Sequence, residues 1–355
     1  MNYIGSKLSL LTFIESSIEA VVDPTCKSFC DLFSGTASVG AHFKKKGYAV
    51  TANDIQYYSY VLSKQYIENN TLPKFANLVG IVPQLETIDI LFRSKAVCSY
   101  LSALPGIPGF IYNNYCLGGT KGKEFERQYF SDNNGFRCDA IRQQIEHWYQ
   151  LQKITTPEYF FLLASLLESV DKCANTASVY GAFLKQLKLS AQKDFVLQPA
   201  LTIVSTQNNL VYNADANKTI SSIKGGILYL DPPYNQRQYA TNYHILETIA
   251  RYDNPQVLGK SGLREYANEK SVYCSRPKVK AIFKDLVAQA DVQYIFLSYN
   301  NEGLLTHTDI EEVLSSRGTY SCYTKSYPRF KADKDKNRTF IATTTTEYLH
   351  CVVCN

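Results

Sequence analysis

The stretch that most restricts how this chain can fold is GGILYLDPPYN, residues 225–235. Its apolar run, Ile227 to Leu230, reads as a strand buried on both faces, the pattern of a parallel sheet covered by helices. Two prolines end that strand at once, because each fixes φ and brings no N–H to a ladder. The turn they form is rigid. It presents the Asp231 carboxylate, the backbone carbonyls of Pro232 and Pro233, and the Tyr234 ring at the edge where α/β sheets bind ligands.

A sheet of this kind requires further β-α-β units, and the N-terminal region supplies one. Residues 8–22 repeat apolar positions at helical spacing, and SFCDLF (28–33) then reads as a short buried strand. The small-residue turn SGTASVG follows, then the amphipathic AHFKKKG with Gly47 as a helix C-cap, then YAVTAND, a second strand closing on Asn53 and Asp54. From about 57 to 200 the rhythm changes to helical stretches (AIRQQIEHWYQ, PEYFFLLASLLESV) separated by connections rich in Gly, Asn and Pro. Strand-like segments return at LTIVST, NLVYNAD, ILYL and DVQYIFLSYNN, and TYSCYTKSYPRF with TEYLHCVV reads as a terminal antiparallel pair. The expectation is an α/β protein with a mostly parallel, Rossmann-like sheet. It is built from residues 1–60 and 200–355, with a largely helical insertion at 61–199.

Composition narrows the function classes. Charged residues are 19% of the chain and the net charge is +5, so it is neither disordered nor strongly basic. No apolar run is long enough for a membrane helix and the N-terminus has no hydrophobic signal core, so a cytoplasmic location without membrane partners is expected. The 10 cysteines are scattered and read as reduced thiols. Cys351 and Cys354 have CxxC spacing with no second pair, so no metal is expected.

The turn from Asp31 to Gly40 lets a ligand approach the backbone, but it is neither GxGxxG nor a P-loop, since the terminal Gly-Lys-Ser/Thr is missing. An acid at its start suits a ligand with a positively charged end. Asp54 lies roughly 20 residues further on, where nucleotide-binding sheets place a carboxylate on a ribose diol, which points to adenosine. At Asp231 an exocyclic amine can dock, and Tyr234 offers a flat face to a purine or pyrimidine outside its duplex.

Taken in order, these residues resemble the Dam-like S-adenosylmethionine-dependent DNA methyltransferases, which methylate the exocyclic N6 amine of adenine. Tyr3-Ile4-Gly5-Ser6-Lys7 resembles the family's N-terminal cofactor motif, Asp31 to Gly40 its glycine loop, Asn53-Asp54 its ribose acid and Asn213-Ala214-Asp215 its acid near the cofactor adenine. Asp231-Pro232-Pro233-Tyr234 resembles the catalytic motif, and Leu297 to Asn301 the strand lining the target pocket. In the glycine loop Ala37-Ser38 stand where Gly is commoner. The resemblance implies a class I methyltransferase sheet with an inserted target-recognition domain. It implies S-adenosylmethionine held by Tyr3, Gly5, Lys7, Asp31, Phe33, Ser34, Gly35, Asp54 and Asp215, with its ammonium near Asp31 and its carboxylate oriented by Lys7. Double-stranded DNA with an everted base is the implied substrate, and a separately acting restriction endonuclease the implied partner.

Two stretches are candidates for gripping DNA. One follows the DPPY turn and offers Arg237 and Tyr239; His244, a little further on, reads better as a packing residue. The other, 325–338, is a basic turn between two strands that offers Lys325, Arg329, Lys331, Lys334 and Lys336 to phosphates. In the insertion Lys121, Lys123, Arg127, Arg137 and Arg142 are spread among acids, consistent with base readout. Three alternatives compete. Methylation of the N4 amine of cytosine uses a motif that usually begins with Ser, and Asp231 favours adenine. An RNA or protein amide methyltransferase can share the motif, but the insertion and basic loops fit duplex DNA better. A non-catalytic nucleotide- or DNA-binding module remains the alternative from another class.

Overall fold

The computed structural model describes residues 3–328 and 344–355. Their seven strands form one sheet: β1 (Ser28–Asp31), β2 (Ala49–Asn53), β3 (Leu210–Tyr212), β4 (Lys224–Leu230), β5 (Asp291–Asn300), β6 (Gly318–Pro328) and β7 (Thr344–Cys354). The strand order is β3-β2-β1-β4-β5-β7-β6. β1 to β5 run parallel, and β7 enters antiparallel between β5 and β6. This is the mostly parallel sheet with antiparallel C-terminal strands that the sequence leads one to expect. The order reverses direction between β1 and β4, which is where open α/β sheets leave a crevice beyond the strand ends.

Contacts divide the chain into a sheet unit, Ile4–Ser63, Ser205–Tyr239 and Asn268–Asn355, and a helical unit, Met1–Tyr3, Lys64–Val204 and Ala240–Ala267. Ala240–Ala267, which the sequence reading placed with the second sheet segment, therefore clusters with the helices. In the sheet unit, Leu228, Leu230, Ile295, Leu297 and Val352 of the strands pack with Phe283 and Leu286 of helix Val279–Gln289 and with Ile310 and Leu314 of helix His307–Ser315.

In the helical unit two long helices have conventional starts. Asp132–Gln150 is capped by Ser131, and Thr156–Cys173 by a Thr155/Glu158 capping box with proline in its first turn. Arg142 is fully buried and donates to the carbonyls of Ile249 and Ala250, at the end of helix His244–Arg251. Arg127, likewise buried, donates to those of Asn114, Gly259 and Lys260. Both guanidiniums serve the fold, which removes them from the candidate base readers. The ring nitrogens of buried His244 lie 3.1 Å from the Thr241 carbonyl and 2.9 Å from that of Ser261, the packing role expected of it.

LTIVST does not form a strand. Leu201 and Val204 are 59% and 66% exposed while Ile203 is buried, and the segment pairs with no strand. The turn after β1 is built as expected but under strain: Gly35 has φ 52°, and Ala37, fully buried ahead of helix Ser38–Lys45, has φ 61°. An L-residue in that region costs roughly 1–2 kcal/mol, which glycine avoids while losing about 0.4–1 kcal/mol through its freer unfolded chain. Ala37→Gly is therefore expected to leave stability unchanged or raise it by up to about 1.5 kcal/mol in urea unfolding. Ala37→Val, β-branched at positive φ, should lower it by more than about 2 kcal/mol.

Candidate active site

The carboxyl ends of β1, β2 and β4 place Asp31, Asn53 and Asp231 along one edge of the sheet. Asn53 ties this edge together, donating to the carbonyls of Leu32 and Ala214 and accepting the N–H of Ala214. Asp54, beside it, accepts the N–H of Gly35 at 2.8 Å and that of Gln56 at 2.9 Å, so its carboxylate sets the mouth of the glycine loop. Ser34 shares a hydrogen bond with Ser63, and Phe33 packs edge-on against Tyr273.

Asp231 belongs to a buried ionic cluster centred on Lys7. The Lys7 ammonium, 4% exposed, lies 3.2 Å from Asp231 Oδ1 and 2.7 Å from Glu347 Oε1. Glu347, 1% exposed, also accepts the Ser298 hydroxyl at 2.5 Å. Burial disfavours the Lys7 charge, but Asp231 and Glu347 outweigh it and hold the ammonium pKa well above its ordinary value. Burial pushes Asp231 up to about 7; Lys7 opposes the rise and Glu347 adds to it. With 17% of its side chain open, Asp231 is the member of the trio that a ligand can reach.

Tyr234 stands over the same cluster. Lys7 Nζ is 5.5 Å from its ring centroid, the Tyr299 ring meets it edge-on at 5.8 Å, and its carbonyl accepts the N–H of Leu304. Gly5 comes in from the N-terminus with φ 79°, where a Cβ would lie 3.1 Å from the Tyr239 hydroxyl and 3.5 Å from that of Tyr234. Tyr239 donates to the Ile4 carbonyl, and Gln238 exchanges two hydrogen bonds with Ser271, so the segment after DPPY is pinned. Arg237 is exposed beside it.

Several expected site residues also have partners within the fold. Lys7 is engaged by Asp231 and Glu347 within the fold. Asp31 is 1% exposed and accepts the N–H of Gly40, so it clamps the helix start and does not present itself to an ammonium. Asp215 caps helix Ala216–Thr219, accepting from Asn217 and Lys218 through Oδ1. Tyr3 stacks on Tyr243, 4.6 Å between centroids, within the helical unit. Lys325 lies in β6, not in a turn, with its ammonium 5.8 Å from the Phe13 ring. In the insertion Lys123 donates to the Asn113 carbonyl and Arg137 to that of Phe195, while Lys121 is exposed. Arg329, Lys331, Lys334 and Lys336 lie outside the described residues. Glu347 escaped the sequence reading altogether: within TEYLH it looks like a solvent-facing strand acid, and only its pairing opposite Asn300 turns it inward.

A family described as D12 class N6 adenine-specific DNA methyltransferase matches residues 3–307. The chain is 48% identical over 352 residues to the Type II methyltransferase M.NlaIII of Neisseria lactamica, covering 99% of this chain and 98% of that protein. It is 34% identical to the Type II methyltransferase M.CviAII of Paramecium bursaria Chlorella virus 1, covering 94% and 93% of the two chains. With the Type II methyltransferase M.FokI of Planomicrobium okeanokoites it is 40% identical, over 94% of this chain but 50% of that longer protein.

Burial also lifts Asp31, to about 7, with the Gly40 N–H opposing and Asp231 and Asp54 adding to the rise. A carboxyl whose folded pKa exceeds its unfolded value of about 3.9 favours folding below that value, and the benefit is lost as pH rises toward 7. Over this window each such group lowers stability by about 1.4 kcal/mol per pH unit. Asp31→Asn, which keeps an acceptor for Gly40, should flatten the fall in urea stability between pH 4 and 7 by about one group's share.

Proposed function

The chain belongs to the D12 class of N6 adenine-specific DNA methyltransferases, and from that premise we propose how its residues divide the work of methylating the adenine amine. The observation that carries the proposal is a partly open acceptor, Asp231, in a rigid proline turn whose charge is set by Lys7 and Glu347. An everted adenine offers two N–H bonds from its exocyclic nitrogen. Asp231 and the Pro232 carbonyl accept them, which draws the lone pair out of conjugation and toward a pyramidal nitrogen. Positive charge then develops on that nitrogen beside two carboxylates and one ammonium, a cluster with a net negative charge when all are ionised. No nucleophilic side chain is needed, because position is the main requirement. The proton leaves after transfer, once methylation has made the nitrogen acidic.

S-adenosylmethionine fits the remaining donor set and supplies an electrophilic methyl group when bound. Asp54 suits a ribose diol. Gly35, Ser34 and Phe33 line a loop small enough for close approach, Asp215 has its second oxygen for an amine, and Gly5 closes against Tyr234. Tyr234 stacks the target base on the ring face away from Lys7, and Tyr239 and Arg237 border the opening. Residues 61–199 are assigned to target recognition, and Arg329, Lys331, Lys334 and Lys336 to phosphates. The Type II names of the relatives support a place in a restriction–modification system, with an endonuclease acting separately in the cytoplasm. Among the described residues no helix is long and apolar enough to cross a membrane. Sequencing modified bases in a host expressing the protein should find N6-methyladenine in one defined context. Methylation only of cytosine, or none, would overturn the assignment.

Asp231→Ala should abolish tritium transfer to unmethylated plasmid while S-adenosylmethionine affinity stays within several-fold. In the wild type, transfer should fall as pH drops below about 7 and Asp231 takes up a proton. Glu347→Gln removes a charge that raises the Asp231 pKa, so the acid limb should move to lower pH; Lys7→Met should move it higher. Asp31 and Asp231 repel one another, so Asp31→Asn should move the limb only to lower pH and leave it present; a limb abolished by Asp31→Asn would refute the assignment. Tyr234→Ala should lose stacking of about 1–3 kcal/mol, a rate loss of roughly 5- to 150-fold with intact cofactor binding.

A further inference from the structure

The outer part of the sheet carries a second group of reactive side chains that plays no part in the mechanism above. His307 is the first residue of helix His307–Ser315, Cys322 lies in β6 and His350 in β7. Cys322 and His350 are directly paired across the two antiparallel strands, so both side chains emerge on one face. His307 reaches that face from the helix, its ring centroid 5.1 Å from that of His350. One ligand atom from each of the three lies within 4.8 Å of the other two. The Tyr320 hydroxyl sits 2.9 Å from His350 Nδ1 and 3.5 Å from His307 Nε2, bridging the two rings and holding their orientation. Glu347, three positions before His350 on β7, faces the other way, so this cluster and the Lys7 cluster occupy opposite sides of the strand.

We infer that His307, Cys322 and His350 form a binding site for a thiophilic divalent cation of the zinc class. Two imidazoles and a thiolate are the ligands that such ions prefer over water and that magnesium and calcium do not. Bond lengths of about 2.0–2.3 Å place tetrahedral ligand atoms roughly 3.3–3.8 Å apart, so the cluster needs to close by about 1 Å. Rotation of the exposed His307 side chain supplies that movement. His350 is buried and Cys322 half-buried, which leaves the fourth position on the His307 side, open to water. On binding, Cys322 gives up its thiol proton to the buffer and the metal–sulfur bond forms. The ion joins β6, β7 and the helix start, three elements distant in sequence, so it acts as a staple on the sheet's outer strands.

Cobalt(II) added to the reduced, metal-free protein tests this directly. One equivalent per chain should produce the thiolate-to-cobalt charge-transfer absorption and the intense visible bands of a tetrahedral site, and zinc should displace both. Cys322→Ser should remove the charge-transfer band, and His307→Ala, at an exposed position, should weaken binding at least ten-fold. Cys354→Ser should change neither. Zinc should raise the Tm of the wild type and not that of His307→Ala. Absence of the bands at stoichiometric cobalt, or bands that survive Cys322→Ser because another of the 10 cysteines supplies the thiolate, would overturn the inference.

Discussion

The candidate site depends on a lysine that has been taken out of water. Lys7 is held between Asp231 and Glu347, three residues drawn from the N-terminal segment, the end of β4 and the C-terminal strand β7. Desolvating an ammonium costs several kcal/mol, and only close carboxylates return it. The arrangement therefore stands or falls as a unit: loss of one partner strands the others, at a cost of about 3–5 kcal/mol. The same burial that makes the cluster costly gives Asp231 its raised pKa and keeps it an acceptor whose charge depends on its neighbours. The Pro232–Pro233 turn contributes rigidity, and the Lys7–Glu347 pair sets the charge.

Around that cluster the sheet provides position, and the loops provide access. The Asn53 and Asp54 side chains tie the ends of β1 and β3 and the glycine loop to one another through hydrogen bonds to backbone groups, so the loop geometry is fixed before any ligand arrives. Asp31 adds a buried clamp on the helix that follows. A binding edge prepared in this way spends less of its ligand affinity on ordering, the condition under which reacting groups are held at near-attack distance.

Much of this was legible in the chain. The apolar ILYL strand, its proline stop, the β-loop-α-β opening and the terminal antiparallel pair all express local rules of periodicity and turn chemistry, and they appear where those rules place them. LTIVST failed by the same rules, since an apolar run forms a strand only where a sheet edge receives it. Asp31, Asp215 and Lys7 stand at motif positions, and each also has a hydrogen bond or ion pair within the fold that the motif does not announce. Arg127 and Arg142 read as candidate base readers and are buried donors to chain carbonyls.

The sequence alone determined the sheet, the turn that carries Asp231 and Tyr234, and the order of the acids at the strand ends, because these follow from patterns a few residues long. Tertiary structure decided which carboxylate meets which cation. That choice rests on contacts between positions 7, 231 and 347, and on the register that turns Glu347 inward opposite Asn300. Burial and long-range pairing are properties of the folded chain, and no local spacing encodes them.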